Sequence, residues 1–272
     1  MKSILFKYPN DPVNLENLYK SASCFLVCGG PSLNAINLNL LNQAGILIAS
    51  VNNTGALVRS NFWFSVDHPK SFHSNIYFDP HVLKFIPEEN LDKSFLIHDS
   101  KGKLQPSNKR IFNISNVLSY RRNKDFNAET FLEEPTINWG NHGSVKDSYG
   151  NKGGRSVMYP AFRILYYLGI RRLFLLGCDF KMNVEQPYAF PQKKHLGGCH
   201  SNNQAYEIHN NRFTNLRPYM EKKGFKVYNC TPKNLSNLTA FEFMEYQEAI
   251  RICTKDIKEN PILENMYGNE EK

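Results

Sequence analysis

Phe25-Leu26-Val27-Cys28-Gly29-Gly30-Pro31-Ser32-Leu33 carries a short apolar run straight into two glycines, a proline and a serine. A brief apolar run bounded by turn residues reads as a buried strand, and the leucines over residues 33–41 predict a helix after it. A strand that enters a glycine turn and then a helix places the turn at the carboxyl edge of an open α/β sheet, where ligands bind. Gly29 and Gly30 let the backbone approach a phosphate closely. The helix start beyond them would offer free N–H groups and the positive end of its dipole. Ser32 can cap that helix or bond a phosphate oxygen. The third glycine of a dinucleotide fingerprint and the lysine of a P-loop are both missing, and a tight turn with no ligand is the plainer alternative.

Outward from this stretch, strand-like and helix-like segments alternate, the signature of a parallel sheet covered by helices. Residues 45–51 form a near-continuous apolar run, as a strand covered on both faces should, and residues 62–66 give a third strand. From about 68 to 150 the pattern is less regular, with possible further strands at 95–98 and 117–121. Val157, Ala161, Ile164, Leu165 and Leu168 recur at helical spacing and Gly169 ends the run. A strand at 171–178, a helix from about 204 to 223, a strand at 225–229 and a helix around 241–250 follow. Residues 181–203 lack periodicity and read as a flexible lid. The expected architecture is a Rossmann-like, mostly parallel sheet with helices on both faces, a single α/β domain over 1–255 and a charged tail at 256–272.

Composition bounds the function. The 272 residues are 41% apolar and 13% aromatic, values of a globular chain. Neither a signal peptide nor an apolar run long enough to span a bilayer is visible, so a cytoplasmic location is expected. Six cysteines without a Cys-x-x-Cys pair read as reduced thiols. His195, Cys199 and His200 lie close together but lack a fourth ligand at suitable spacing, so no metal site is assigned. The net charge of +8 fits anionic partners, although the Lys/Arg pairs are scattered.

Gly153-Gly154-Arg155-Ser156-Val157 repeats the glycine-to-helix junction, now with a guanidinium able to hold phosphate in a bidentate way. Asn52-Asn53 and Asp67-His68 each follow a strand, where they can contact a base or ribose, and Asp179 follows the strand at 171–178. Candidate nucleotide-binding residues are therefore Gly29, Gly30, Pro31, Ser32, Asn52, Asn53, Asp67, Gly154, Arg155, Ser156 and Asp179.

Gly30-Pro31-Ser32-Leu33, Gly154-Arg155-Ser156-Val157, Gly177-Cys178-Asp179-Phe180, Tyr188-Ala189-Phe190 and His200-Ser201-Asn202-Asn203 occur in that order. This ordered set resembles the bacterial sialyltransferases of glycosyltransferase family 42. It also resembles the related group that includes archaeal hydroxymethylpterin diphosphokinase and flagellin glycosylation factors. The resemblance spans roughly residues 24–246, the middle region excepted. It implies a GT-A-like variant of the fold, a lid at 181–203, His200 as the base that takes the acceptor hydroxyl proton, and Tyr188 as donor to the departing phosphate. Where the family often carries a second tyrosine after Asp-Phe, this chain has Lys181, whose ammonium can also neutralise a leaving phosphate.

The expected activity is glycosyl transfer from a nucleotide-sugar donor to a hydroxyl acceptor, with no cofactor and no metal. A polyanionic acceptor such as DNA, through a hydroxymethylated base, fits the positive charge but would require base flipping or a single strand. The alternatives are a pterin-type diphosphokinase, which would need Mg²⁺ and acidic ligands such as Asp67 and Asp179, and a non-catalytic nucleotide-binding assembly protein.

Overall fold

A computed structural model describes residues 3–123, 125–138, 155–192 and 196–255. In chain order its first strands are β1 (Leu5–Lys7), β2 (Asp11–Val13), β3 (Ser23–Val27), β4 (Leu47–Val51), β5 (Phe62–Phe64), β6 (Leu83–Pro87) and β7 (Ser94–His98). They are followed by β8 (Leu104–Arg110), β9 (Val117–Tyr120), β10 (Arg122–Asn123), β11 (Ile137–Asn138), β12 (Arg172–Leu176), β13 (Lys226–Asn229) and β14 (Glu242–Phe243). The helices are α1 (Ser74–Phe78), α2 (Met158–Tyr167), α3 (Leu196–Lys222) and α4 (Tyr246–Thr254).

Among the described residues ten strands make one sheet in the order β14-β13-β12-β3-β4-β5-β6-β9-β1-β2. Neighbours from β14 through β9 run parallel, and only β1 and β2 at the far edge are antiparallel. The chain steps outward from β3 through β4, β5 and β6 to β9, then returns to β12 on the other side of β3 and steps outward again to β14. The reversal between β3 and β12 is where the carboxyl ends of an open α/β sheet part to admit a ligand.

Side-chain alternation along β3 explains the two layers. Cys24 and Leu26 point into a core with α2 and α3, through Phe162, Phe213 and Met220. Phe25 and Val27 point the other way, into a core with Phe174, Leu176 and the α4 residues Tyr246, Ala249 and Ile250. A third cluster joins Trp63 and Ile86 of the sheet to Tyr77 of α1 and Phe95 of the β7–β8 hairpin. Both faces of β3 are dry from Cys24 onward, which is why residues 24–27 are apolar without a break. In α2, Pro160 falls in the first turn, where no intrahelical donor is lost.

Several boundaries differ from the sequence expectation. Residues 33–41 do not form an α-helix. They make two short 3₁₀ turns, Pro31–Ala35 and Leu38–Leu41, because Asn37 uses its side-chain oxygen to accept from the Asn39 N–H and interrupts any longer ladder. Helix α3 begins at Leu196, eight residues before the expected start at 204. Its first turns hold Gly197, Gly198, Ser201, Asn202 and Asn203, poor helix formers, and Asn202 and Asn203 fasten them to Met182 through bonds that no propensity reveals. The last helix starts at Tyr246 instead of about 241, since residues 242–243 pair with β13 as β14. The strand at 95–98 exists, but in its own two-stranded sheet with β8. Strand β6 is hidden in the sequence because its second residue is Lys84, buried and bonded to three carbonyls.

Candidate functional site

The crevice between β3 and β12 opens into a cleft of about 340 Å³. Its floor is the two strand ends, joined by Gly30 N–H donating to the Gly177 carbonyl at 2.9 Å. Asp179 crosses this floor. Its carboxylate accepts the Ser32 backbone N–H at 3.0 Å and a short bond from the Ser32 hydroxyl. Burial pushes the Asp179 pKa above the usual carboxylate value, while the Ser32 bonds and the Lys181 charge pull it back. Gly30 has an ordinary extended backbone, so its lack of a side chain serves space alone: a Cβ there would lie 2.2 Å from Asp179 Oδ1.

One wall is the Tyr188-Ala189-Phe190 segment, fixed to the floor by Ala189 N–H donating to the Gly29 carbonyl at 3.0 Å. Tyr188 and Phe190 stack with ring centroids 5.2 Å apart. Burial, with the negative charge of Asp67 nearby, raises the Tyr188 pKa, so the phenol stays protonated and able to donate. The opposite wall is α3, which presents Asn202, Ala205, Tyr206 and His209 at helical spacing. Tyr206 stacks on Phe180 at 5.1 Å. The third side comprises Asn52, Asp67, Arg155 and Ser156. Burial and the nearby Arg122 charge lower the Arg155 pKa, and Asp67 opposes them.

Asn52 and Phe180, both in the cleft, have left-handed φ values of 52° and 51°. Non-glycine residues adopt this conformation at a cost, and such residues gather at binding sites. The Asn52 carbonyl accepts from Trp63 Nε1 at 2.7 Å, while its side-chain Oδ1 is buried with no protein partner.

Of the residues singled out in the sequence, Gly29, Gly30, Asn52, Asp67, Arg155, Ser156, Asp179, Lys181 and Tyr188 line this one cleft. Pro31 and Ser32 line a second cavity of about 330 Å³ that shares Asp179, Lys181 and Met182 with the first. Ser32 spends its N–H and hydroxyl on Asp179, and it lies in a 3₁₀ turn, so the helix dipole expected beside the glycines is absent. Asn53 is buried outside the cleft, its amide bonded to Ser71, His73 and Gln192. Gly154 lies outside the described residues. His200 is exposed on α3, 3.1 Å from Gln204 Nε2, on a different side of the helix from Asn202, Tyr206 and His209. Sequence reasoning missed Tyr206 and His209. Their spacing from Asn202 is a one-face helical pattern, legible only once the helix is begun at 196.

Among the described residues no group of three or more His, Cys, Asp or Glu side chains is arranged to hold a metal ion. None of the described helices is long and apolar enough to cross a membrane. Comparison with protein-family models, with curated proteins and with solved structures gives no match for this chain.

Proposed function

We propose that the cleft binds a nucleotide-sugar donor and that the protein transfers the sugar to a hydroxyl acceptor. The observation that carries this reading is the convergence of Gly29-Gly30, Arg155-Ser156, Lys181 and Tyr188 on one cleft at the sheet's reversal point. The first two pairs bring backbone and a guanidinium to a phosphate, and the last two are a cation and a phenolic donor for charge that grows on it as the glycosidic bond breaks. The stacked rings and the unpartnered Asn52 Oδ1 supply a face and an acceptor for a nucleoside. Charge neutralisation by side chains needs no cation, so the transfer runs without a metal.

His200 takes the acceptor proton in this reading. It must then turn inward from its exposed place, and Gly197 and Gly198 make that first turn of α3 the least costly part of the helix to rearrange. The lid expected over residues 181–203, of which 193–195 lie outside the described residues, would close through its described part in the same step. A hydroxymethylated base in DNA is the acceptor that the +8 charge favours. The cytoplasm, which keeps thiols reduced, is the compartment that suits the six free cysteines. A second reading draws on Asp67 and Asp179, which both line the cleft: in a diphosphokinase these carboxylates would hold Mg²⁺, which would supply neutralisation of phosphate charge.

One experiment separates these. Purified protein is incubated with a panel of nucleotide sugars and with DNA, glycan and protein acceptors, with and without EDTA, and products are read by mass spectrometry. Glycosyl transfer that persists in EDTA and falls about 10²–10⁴-fold in His200→Ala is expected. No transfer to any acceptor, or pyrophosphate transfer abolished by EDTA, overturns the proposal.

A further inference from the structure

The β7–β8 hairpin lies outside the ten-stranded sheet, and its two strands form a sheet of their own. Strand β7 turns Phe95 into the cluster with Trp63 and Tyr77. Strand β8 has almost nothing to bury. Of its seven residues only Ser107 is buried, and among the described residues no strand pairs with its outer edge. Packing therefore does not dictate the sequence Leu104-Gln105-Pro106-Ser107-Asn108-Lys109-Arg110.

Charge sets this hairpin apart. Lys101 and Lys103 stand at its turn and Lys109 and Arg110 at the other end of β8, all four exposed. Its one acid is Asp99, whose Oδ1 accepts the Lys101 and Lys103 backbone N–H groups at 2.9 Å each and so shapes the turn. Among the described residues none of the four cations forms an ion pair. Nearby arginines behave differently: Arg59 pairs with Asp79, Arg121 with Glu88 and Arg122 with Glu89. Four unpaired like charges on one edge repel one another, and a bound polyanion relieves that repulsion.

Spacing selects the polyanion. At about 3.3 Å per strand residue, Lys103 and Lys109 stand about 20 Å apart along β8, farther than one phosphate can span. The major groove of B-DNA is about 12 Å wide, admits a two-stranded ribbon and has a phosphate rail along each side. Cation pairs at the two ends of the ribbon match the two rails. Between them Gln105 and Asn108 offer amides for base edges, and Leu104 and Pro106 offer apolar groups. The hairpin is also tied to the cleft. Asn90 Nδ2 donates to the Asp67 carbonyl at 2.9 Å, and Lys93 Nζ donates to Asn90 Oδ1 at 2.7 Å. The Lys93 carbonyl accepts Ile111 N–H at 3.1 Å just past β8, and β7 packs on the turn Pro69–Ser71 that follows Asp67 and His68. The loop that carries Asp67 to the cleft is thus the footing of the hairpin.

We propose that the β7–β8 hairpin is a docking surface for duplex DNA, held through Lys101, Lys103, Lys109 and Arg110. Its use in bringing an acceptor base to the cleft rests on the glycosyl-transfer reading, whereas the binding itself does not. The plainer role of lysines and a proline on a bare edge strand is to keep other strands from pairing there. Charge reversal separates the two roles, because glutamate guards an edge by its charge and repels phosphate.

The test measures fluorescence anisotropy of a labelled duplex of about 20 base pairs with the full chain, between about 50 and 200 mM NaCl. Four phosphate contacts predict a log–log salt slope of about −3.6, a loss of roughly 100-fold over that range. Lys103→Glu/Lys109→Glu should weaken binding at least about tenfold at the lower salt and make the slope shallower by about 2. Lys101→Glu/Arg110→Glu should reproduce the loss, and it decides if the first variant does not fold. Lys222→Glu/Lys226→Glu, at exposed sites where α3 ends and β13 begins, should change affinity less than about threefold. No duplex binding by the wild type, or hairpin variants that bind as tightly as wild type, overturns the proposal. Equal losses in the hairpin and control variants overturn it too, as does a single strand that binds as well as the duplex. Duplex binding through the hairpin with no sugar transferred to a hydroxymethylated duplex leaves the docking surface standing and defeats the transfer reading instead.

Discussion

A methyl group on Gly30 would meet Asp179 Oδ1 at 2.2 Å and the Gly177 carbonyl oxygen at 2.6 Å. Neither can retreat, since Asp179 is held twice by Ser32 and Gly177 belongs to the floor itself. Gly30→Ala should therefore destabilise the protein by about 1–3 kcal/mol, the usual cost of overpacking. Gly29→Ala meets only the Phe190 and Tyr188 rings, at 3.3 Å and 3.4 Å, which can shift by tenths of an ångström. Urea unfolding of the two variants side by side checks the contrast, and equal midpoints would contradict it. The Gly-Gly-Pro-Ser stretch was legible as a close approach at a strand end. What approaches was not, because the carboxylate that fills the space comes from 147 positions along the chain. A motif reports that room is needed and leaves the occupant unspecified.

Helix α3 shows the same limit at the scale of an element. Its second half carries buried Phe213, Leu216 and Met220, and that apolar spacing marks a helix in the sequence. Its first half carries almost none, and tertiary bonds fasten it. Asn203 accepts from Met182 N–H at 2.8 Å and donates to the Met182 carbonyl at 2.9 Å, clasping the helix to the chain that leaves Asp179 and Phe180. Both bonds are exposed, so their loss should cost little globally. We expect Asn203→Ala to lower Tm by no more than about 3 °C, while exchange and proteolytic cutting near residues 181–190 rise severalfold. A large Tm loss, or no local change, would show that the clasp is not what holds this wall. The strands fared better than the helix ends: β3, β4, β5 and β12 are short apolar runs buried on both faces, and burial of that kind survives in one-dimensional patterning.

For the molecule as a whole, two buried titratable groups far apart in the fold contribute to the pH dependence of stability. His209 has a folded pKa of about 3 against about 6.5 for a free histidine, so between those values the unfolded chain binds more protons. Stability contributed there is present above pH 6.5 and is lost as pH falls toward 3. Lys84 in β6 is fully buried, and its ammonium donates to the carbonyls of Asp79, Val82 and Ser115 at 2.7, 2.9 and 3.2 Å. Burial still lowers its pKa to about 8, with Asp79 opposing, against about 10.4 for a free lysine. Again the unfolded chain binds more protons between the two values, so Lys84 makes stability rise with pH from about 8 to about 10.4. Each group can contribute a slope of at most about 1.4 kcal/mol per pH unit, screened less than surface charges would be. Urea midpoints measured from pH 4 to pH 10 should therefore lose part of their acid-side fall in His209→Gln and part of their alkaline rise in Lys84→Met. The two changes should be independent, because His209 lies in the α2–α3 layer and Lys84 on the far side of the reversal between β3 and β12. Curves for both variants that run parallel to wild type over the whole range would show that neither burial shifts a proton on folding.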